Sequence, residues 1–301
     1  MRIGIDVGGT KAVVAAVDEA GRILRKERIA TGENASCREI IRRAARAAAE
    51  MAGGAENLRS VGIGVPGTVD AAGKRVLCAP NIGWHDEPAA AFFEAETGLS
   101  PFLCQDTRAA AWAEARNGVM RGKRCLICVT LGTGIGCGIV LEGKIWHGAL
   151  GTAGEIGHIP VRDAGRLCNC GRSDCMEAYA SGTGMARTVR EQGLCQTAEA
   201  LFRLAKDGDE KALRIIDEAI NDASTVLTAV VNLLSPDALL FSGGLSAQET
   251  LFVQPLIARI RQRAYQRALT DTLYMGPAPL GPDAPVIGAA FLREAFEGER
   301  K

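Results

Sequence analysis

One histidine and three cysteines, His158, Cys168, Cys170 and Cys175, form the densest chemical grouping in the chain. The spacing His-x9-Cys-x-Cys-x4-Cys brings one imidazole and three thiolates within reach of a single ion, a closed tetrahedral set suited to zinc. The whole chain has 3 histidines, so finding one here is informative. A closed set leaves no position for water, which points to a structural metal rather than a catalytic one. The plainer alternative is three buried free thiols that happen to cluster. A redox pair fits less well, because Cys-x-Cys differs from the redox spacing and no thioredoxin-like strand and helix precede it.

Two carboxylates flank the cluster. Glu155 stands just before His158, and Glu177 just after Cys175. A metal-pinned frame would hold both acids still, and a fixed carboxylate can accept several hydrogen bonds from the hydroxyls of a sugar. His158 can ligate through one ring nitrogen and donate to a sugar hydroxyl with the other. A third acid, Asp106, ends the strand-like run FLCQD. There it can accept a hydroxyl proton while the oxygen lines up on a γ-phosphorus. Asp70, Asp86 and Asp163 sit in turn-like contexts and are weaker candidates.

Three glycine-rich turns follow apolar runs. Asp6-Val7-Gly8-Gly9-Thr10 can turn sharply and present N–H groups to phosphate oxygens, while Asp6 can hold Mg2+ directly or through water. An ordinary hairpin would also accept two glycines. The second turn, Leu131-Gly132-Thr133-Gly134-Ile135-Gly136, leads into a strand-like run and so departs from the dinucleotide fingerprint of strand, turn and helix. No GxxxxGK[ST] run occurs, which removes the P-loop class. The third turn is Ser242-Gly243-Gly244. Together they argue for a nucleotide clamped between two domains.

The elements that must carry these residues repeat. Residues 3–27 read as strand, glycine turn, strand, short turn and strand, and residues 125–146 repeat that order. Ser36 with Glu39 is a capping box that opens a helix to about residue 52. Further helices are expected over 88–97, 107–120, 177–192, 197–206, 209–234, 248–268 and from about 286. Strands are expected at 58–67, 102–106 and 237–244. The implied domains are 1–118, then 119–285 with a zinc loop at 158–175, and a terminal helix 286–301 packing back on the first domain. Both would be α/β, facing one another across a cleft that excludes water.

Lys plus Arg equals Asp plus Glu at 35 each, so no global field favours nucleic acid or an acidic membrane. The arginines of RRAARAAAEMA (42–52) read as the wet face of an alanine-rich helix. No apolar run is long enough to span a bilayer, and no charged-then-apolar leader opens the chain, so a cytoplasmic location is the expectation. Cys104, Cys125, Cys128 and Cys137 lie in strand-like runs, where reduced, buried thiols are ordinary.

DVGGTK (6–11), GVPGTVD (64–70), PNIGW (80–84), Asp106, TLGTGIGCGIVLEGKIWHGALGTAGEIGH (130–158), CNCGRSDCME (168–177) and FSGG (241–244) together resemble the ROK family of sugar kinases and sugar-responsive repressors. The resemblance implies an actin-like, ribonuclease-H-like kinase of two domains that passes the ATP γ-phosphate to a hexose, often at its 6-hydroxyl, with Mg2+. It implies Asp106 as the base, and Gly67, Asn81, Gln105, Glu155, His158 and Glu177 near the sugar. Asp6, Gly8, Gly9, Thr10, Lys11, Thr133 and Gly134 fall on the phosphate side, with Gly243 and Gly244 near the adenosine. His158, Cys168, Cys170 and Cys175 are the implied zinc ligands, and a homodimer the implied assembly. The repressor branch carries a DNA-binding helix-turn-helix ahead of this fold. Here residue 3 already belongs to the first strand, so direct DNA binding is not expected.

The sequence departs from the family at two places. The usual Asn-Asp-x-Asn reads Gln105-Asp106-Thr107-Arg108, which keeps the base, lengthens its amide neighbour and introduces a cation. Arg108 can close on Asp106 or Glu177 or face solvent from the helix. Asp174 stands where glycine is usual, and a positive φ there would strain the turn. PNIGWHDEPA resembles the glucokinase-like branch, so glucose or a close aldohexose is the first choice. An N-acetylhexosamine, allose or fructose kinase is the alternative, and a non-catalytic sugar sensor the alternative of another class.

Overall fold

The computed structural model describes residues 1–32, 35–118, 121–265 and 271–297. The chain opens with β1 (Arg2–Val7), β2 (Lys11–Val17) and β3 (Ile23–Ala30). β3 is exposed along most of its length and carries Arg25, Lys26, Glu27 and Arg28, charges that discourage another strand from pairing at this edge. Helix α1 (Cys37–Ala52) starts where the hydroxyl of Ser36 accepts the Glu39 N–H at 3.3 Å, and stops at Gly53, whose φ is 74°. Its arginines are not a free basic face: Arg42 and Arg46 pair with Glu96, and Arg43 with Glu39.

β4 (Ser60–Val65) and β8 (Phe102–Gln105) complete a five-stranded sheet of order β3-β2-β1-β4-β8, in which β1, β4 and β8 are parallel. Between β4 and β8 lies a small antiparallel sheet of β5 (Thr68–Val69), β6 (Val76–Ala79) and β7 (Trp84–Glu87), followed by helix α2 (Ala89–Thr97). This sheet is absent from the sequence reading. Strands of two to four residues are too short to show a period of two. Helix α3 (Asp106–Asn117) follows β8 directly, and residues 119–120 of the expected helix lie outside the described ones.

The second half repeats the plan. β9 (Cys125–Leu131), β10 (Ile135–Leu141), β11 (Lys144–Ile145), β12 (Ala238–Ser242) and β13 (Tyr274–Pro277) form a sheet of order β11-β10-β9-β12-β13, strand for strand the order of the first. β9, β12 and β13 are parallel, matching β1, β4 and β8. Helices α4 (Met176–Ala180), α5 (Gly182–Glu191), α6 (Ala198–Lys206), α7 (Glu210–Leu234) and α8 (Gln254–Arg263) separate the strands.

Three helices differ from expectation. The run 177–192 is broken at Ser181, which is extended and caps α5 by accepting the Gly184 N–H at 3.0 Å. A π-helical turn, Glu249–Val253, precedes α8, and residues 266–268 of that expected helix lie outside the described ones. The last helix is two, α9 (Ala284–Ala290) and α10 (Leu292–Glu297), and residues 298–301 lie outside the described ones. α9 rests on the first sheet at backbone contact: a Cβ on Gly62 would come 2.0 Å from the carbonyl oxygen of Ala289.

Two compact units emerge, one of Met1–Lys123, Gly138–Ala153 and Pro282–Lys301, the other of Arg124–Cys137 and Gly154–Gly281. Residues 138–153, read from the sequence as part of the second domain, group with the first. Gly138 packs where a Cβ would meet the carbonyl oxygen of Thr107 at 2.5 Å. Among the described residues no helix is long and apolar enough to cross a membrane.

Candidate active site

In the first unit two acids sit at the carboxyl ends of parallel strands. Asp6 is paired with Gly64 across β1 and β4, and Gly64 with Cys104 across β4 and β8, so Asp106, the residue after β8, stands one strand beyond. A methyl on Gly64 would lie 3.5 Å from Asp6 Oδ1 and 3.5 Å from Asp106 Cα, filling the space that glycine leaves beside both acids. Asp106 opens α3, and its Oδ1 accepts the N–H of Thr107 at 2.7 Å. One face of the carboxylate is thereby oriented by the helix.

Burial raises the Asp6 carboxyl to about 6, against a smaller opposing pull from Lys11. In the unfolded chain the value is 3.8. The folded state therefore favours the protonated acid: that stabilisation is fully present below the unfolded value and is lost as pH rises through about 6. Without a divalent cation, Asp6→Asn is expected to stabilise the protein at pH 8 by about 2–3 kcal/mol, with the gain falling by about half at pH 5. Urea unfolding of both proteins at the two pH values checks this. A variant less stable than its parent at pH 8 would show that the ionised carboxylate is satisfied where it stands.

The turn after Asp6 is closed by the Gly8 N–H donating to the Lys11 carbonyl at 2.9 Å, and Gly9, Thr10 and Lys11 are exposed. Thr31 pins it: its hydroxyl donates to the carbonyl of Gly9 at 3.0 Å and its N–H to that of Thr10 at 3.2 Å. Sequence reasoning missed Thr31, which lies across β2 and β3 from the turn it holds. Gly67 sits where a Cβ would meet the Cys78 carbonyl oxygen at 2.3 Å, and Asn81 is exposed in the 3-10 turn Pro80–Ile82. Gln105 ends β8 half-buried. Arg108, expected on Asp106, on Glu177 or in solvent, is 3% exposed and binds the loop 147–153 instead.

The second unit holds the other two glycine turns side by side. Thr130 is paired with Ser242 across β9 and β12, their hydroxyls 3.0 Å apart, so the turns after Leu131 and Ser242 leave the sheet together. Gly243 has φ 86° and would press a Cβ to 2.5 Å from the Leu131 carbonyl oxygen, so only glycine suits this position. The break before α5 serves the same place: the N–H groups of Gly182 and Thr183 donate to the carbonyls of Gly132 and Thr133 at 2.8 and 3.3 Å. Helix-start amides that would lack partners are thereby satisfied.

Glu177 joins this turn to the cysteine cluster. Its Oε2 accepts the Ile135 N–H at 2.8 Å, and a Cβ on Gly134 would collide with that oxygen at 2.5 Å. Its Oε1 lies 3.9 Å from Cys168 Sγ. Glu155 precedes the short 3-10 turn Ile156–His158, so it and His158 leave the same bend.

The four candidate ligand atoms of His158, Cys168, Cys170 and Cys175 lie within 4.8 Å of one another. Zinc–sulfur bonds of about 2.3 Å imply tetrahedral edges near ~3.8 Å. Cys170 and Cys175 Sγ are 3.6 Å apart, and Cys168 Sγ is 3.7 Å from His158 Nδ1. The donor set therefore fits a tetrahedral ion bound through Nδ1. Asp174 does adopt a positive φ, 62°, and its carboxylate explains why: it accepts the N–H groups of Ala164, Gly165 and Arg166, at 3.2, 2.8 and 3.1 Å, and the Tyr179 hydroxyl. Aspartate tolerates this backbone better than most residues, and here it ties down the loop that carries Cys168.

The family model of ROK matches residues 2–295. The chain belongs to the ROK family. It is 34% identical to the glucokinase of Streptomyces coelicolor over 97% of both chains. It is 29% identical to the N-acetylmannosamine kinase of Salmonella typhimurium over 97% of this chain and 98% of that one. The crystal structure of a ROK family glucokinase from Streptomyces griseus, in complex with glucose and AMPPNP, is 33% identical, covers 97% of this chain and 99% of its own, and superposes with a TM-score of 0.80. The fold of this ROK protein is the actin-like one that its motifs implied.

Proposed function

We propose that this ROK protein transfers the γ-phosphoryl group of ATP to the 6-hydroxyl of a hexose, glucose or a close aldohexose, with Asp106 as general base. The reaction class is that of an ATP-dependent sugar kinase, shared by its glucokinase and N-acetylmannosamine kinase relatives. The observation that carries the assignment of the base is the placement of Asp106 at the start of α3, one strand beyond Gly64 and Asp6. The Thr107 N–H orients one oxygen of this carboxylate, and an ionised aspartate placed so can take a hydroxyl proton.

Gly8, Gly9, Thr10 and Lys11 in the first unit and Thr133 and Gly134 in the second are the assigned phosphate contacts, with Gly243 and Gly244 near the adenosine. Asp6 is the residue that would hold Mg2+, which supplies charge neutralisation to the phosphates. Gly67, Asn81, Gln105, Glu155, His158 and Glu177 are assigned to the sugar. His158 bound to zinc through Nδ1 would present its other ring nitrogen to a hydroxyl. Glu177 supports the phosphate turn through Ile135 as well, so its assignment to the sugar makes it a shared residue.

The test is ADP release from Mg-ATP with glucose, mannose, allose, fructose, N-acetylglucosamine and N-acetylmannosamine in parallel. Glucose is expected to turn over fastest. Faster turnover of an N-acetylhexosamine, allose or fructose would sink the aldohexose assignment and keep the kinase. Sugar binding without ADP release would make the protein a sensor.

A further inference from the structure

We propose that Arg108 is a positioning residue that clamps the loop 147–153 to the start of the base helix and so sets affinity for the sugar. The inference rests on the sugar-kinase reading above. Arg108 lies two residues after Asp106 in the first turn of α3 and is 3% exposed. One guanidinium nitrogen, Nη2, donates to two carbonyl oxygens, those of Gly151 and Ala153, each at 2.8 Å. The other, Nη1, is 3.4 Å from Nδ1 of His147. Burial and the neighbouring guanidinium depress His147 to about 4, so near neutral pH the ring is uncharged and Nδ1 can accept from the arginine.

The loop HGALGTA is glycine-rich and mostly at the surface, with the His147 ring 5.8 Å from that of Phe296. Gly148 and Gly151 have φ of 71° and 72°, and Leu150 at its tip is 87% exposed. Its own closure is the Ala153 N–H to the His147 carbonyl at 3.0 Å and the Gly151 N–H to that of Gly148 at 3.3 Å. Among the described residues no carboxylate pairs with Arg108, and its buried Nε has no acceptor. A buried cation satisfied by neutral dipoles alone is costly to keep. What this one accomplishes is to join the backbone beside Asp106 to a loop whose next residues are Gly154 and Glu155, the latter an assigned sugar ligand. Asparagine, usual in the family at this position, lacks the length to bridge the same two carbonyls.

Arg108→Ala and Arg108→Lys are to be compared with the parent for glucose KM, ATP KM and kcat, and for hydrogen exchange of the 147–153 peptide without ligands. Losing two charge-assisted bonds is expected to raise glucose KM at least about tenfold in the alanine variant. ATP KM should stay within about twofold, the signature of a lost sugar-side interaction. Exchange over 147–153 should quicken, and lysine, which keeps the charge but not the fork, should give intermediate values. Unchanged exchange, or glucose and ATP KM rising together, would overturn the clamp. If the alanine variant does not fold, the lysine variant decides by the same two readouts. Quickened exchange in a protein whose parent phosphorylates no sugar would overturn the sugar-kinase reading and the claim on sugar affinity, while leaving the loop contact itself measured.

Discussion

Asp106→Asn is expected to reduce kcat for sugar-dependent ADP release by on the order of 10²–10⁴-fold, the usual contribution of a positioned general base. Asparagine is nearly the same size and keeps an oxygen to accept the Thr107 N–H, so the start of α3 should retain its geometry. What disappears is the ability to take a proton. The expected signature is a collapse of kcat with sugar affinity by calorimetry within about threefold of the parent, because hydrogen bonding to a ground-state hydroxyl survives the change. A kcat within about fivefold of the parent would place the base elsewhere, since general-base loss is rarely that mild. Asp6 would then be the first residue to examine, as the other carboxylate at the carboxyl ends of these parallel strands.

Removing one of the proposed zinc ligands should act more widely. Cys175→Ser is expected to abolish stoichiometric zinc, measured by emission spectrometry on protein prepared without chelator. It should also lower the melting temperature by about 10 °C, for a loss of roughly 3–4 kcal/mol in a unit of this size. Cys175 is fully buried and stands at the N-terminus of α4, next to Met176, whose N–H donates to the Ile159 carbonyl at 2.9 Å. Two residues on, Glu177 holds the Ile135 N–H of the second glycine turn. Loss of the ion should therefore raise KM for ATP as well as for sugar. That distinguishes it from the Arg108 variants, where the sugar alone responds. Zinc retained at one equivalent, or lost with both KM values unchanged, would count against the metal as the frame of this region.

Much of this architecture is legible along the chain because its determinants are local. The cysteine cluster closes within one short segment, so spacing alone brings the candidate ligands together. The glycine turns follow apolar strands, and the repeated strand order appears as a repeated pattern. The tertiary fastenings are different. Glu177 meets Ile135, and Arg108 meets Gly151 and Ala153, across about forty residues of sequence that encode no periodic signal for the pairing. The break at Ser181 has the same origin: its helix start is bonded to the turn at Gly132 and Thr133, which an uninterrupted helical pattern conceals. The grouping of 138–153 with the first unit depends on Gly138 meeting α3, a packing fact that composition cannot reveal.

Asp174 bears on how quickly an ion can be captured and released. Its carboxylate gathers three backbone amides and a tyrosine hydroxyl, none of them a candidate ion ligand. Residues 164–166 are thus fixed by the fold, and entry of the proposed ion would have only the thiols and imidazole left to align. If the cluster holds zinc as proposed, loading is expected to proceed at the pace of ligand exchange, not refolding. A protein stripped by a chelator is then expected to keep the Asp174 hydrogen bonds and to take the ion back without unfolding.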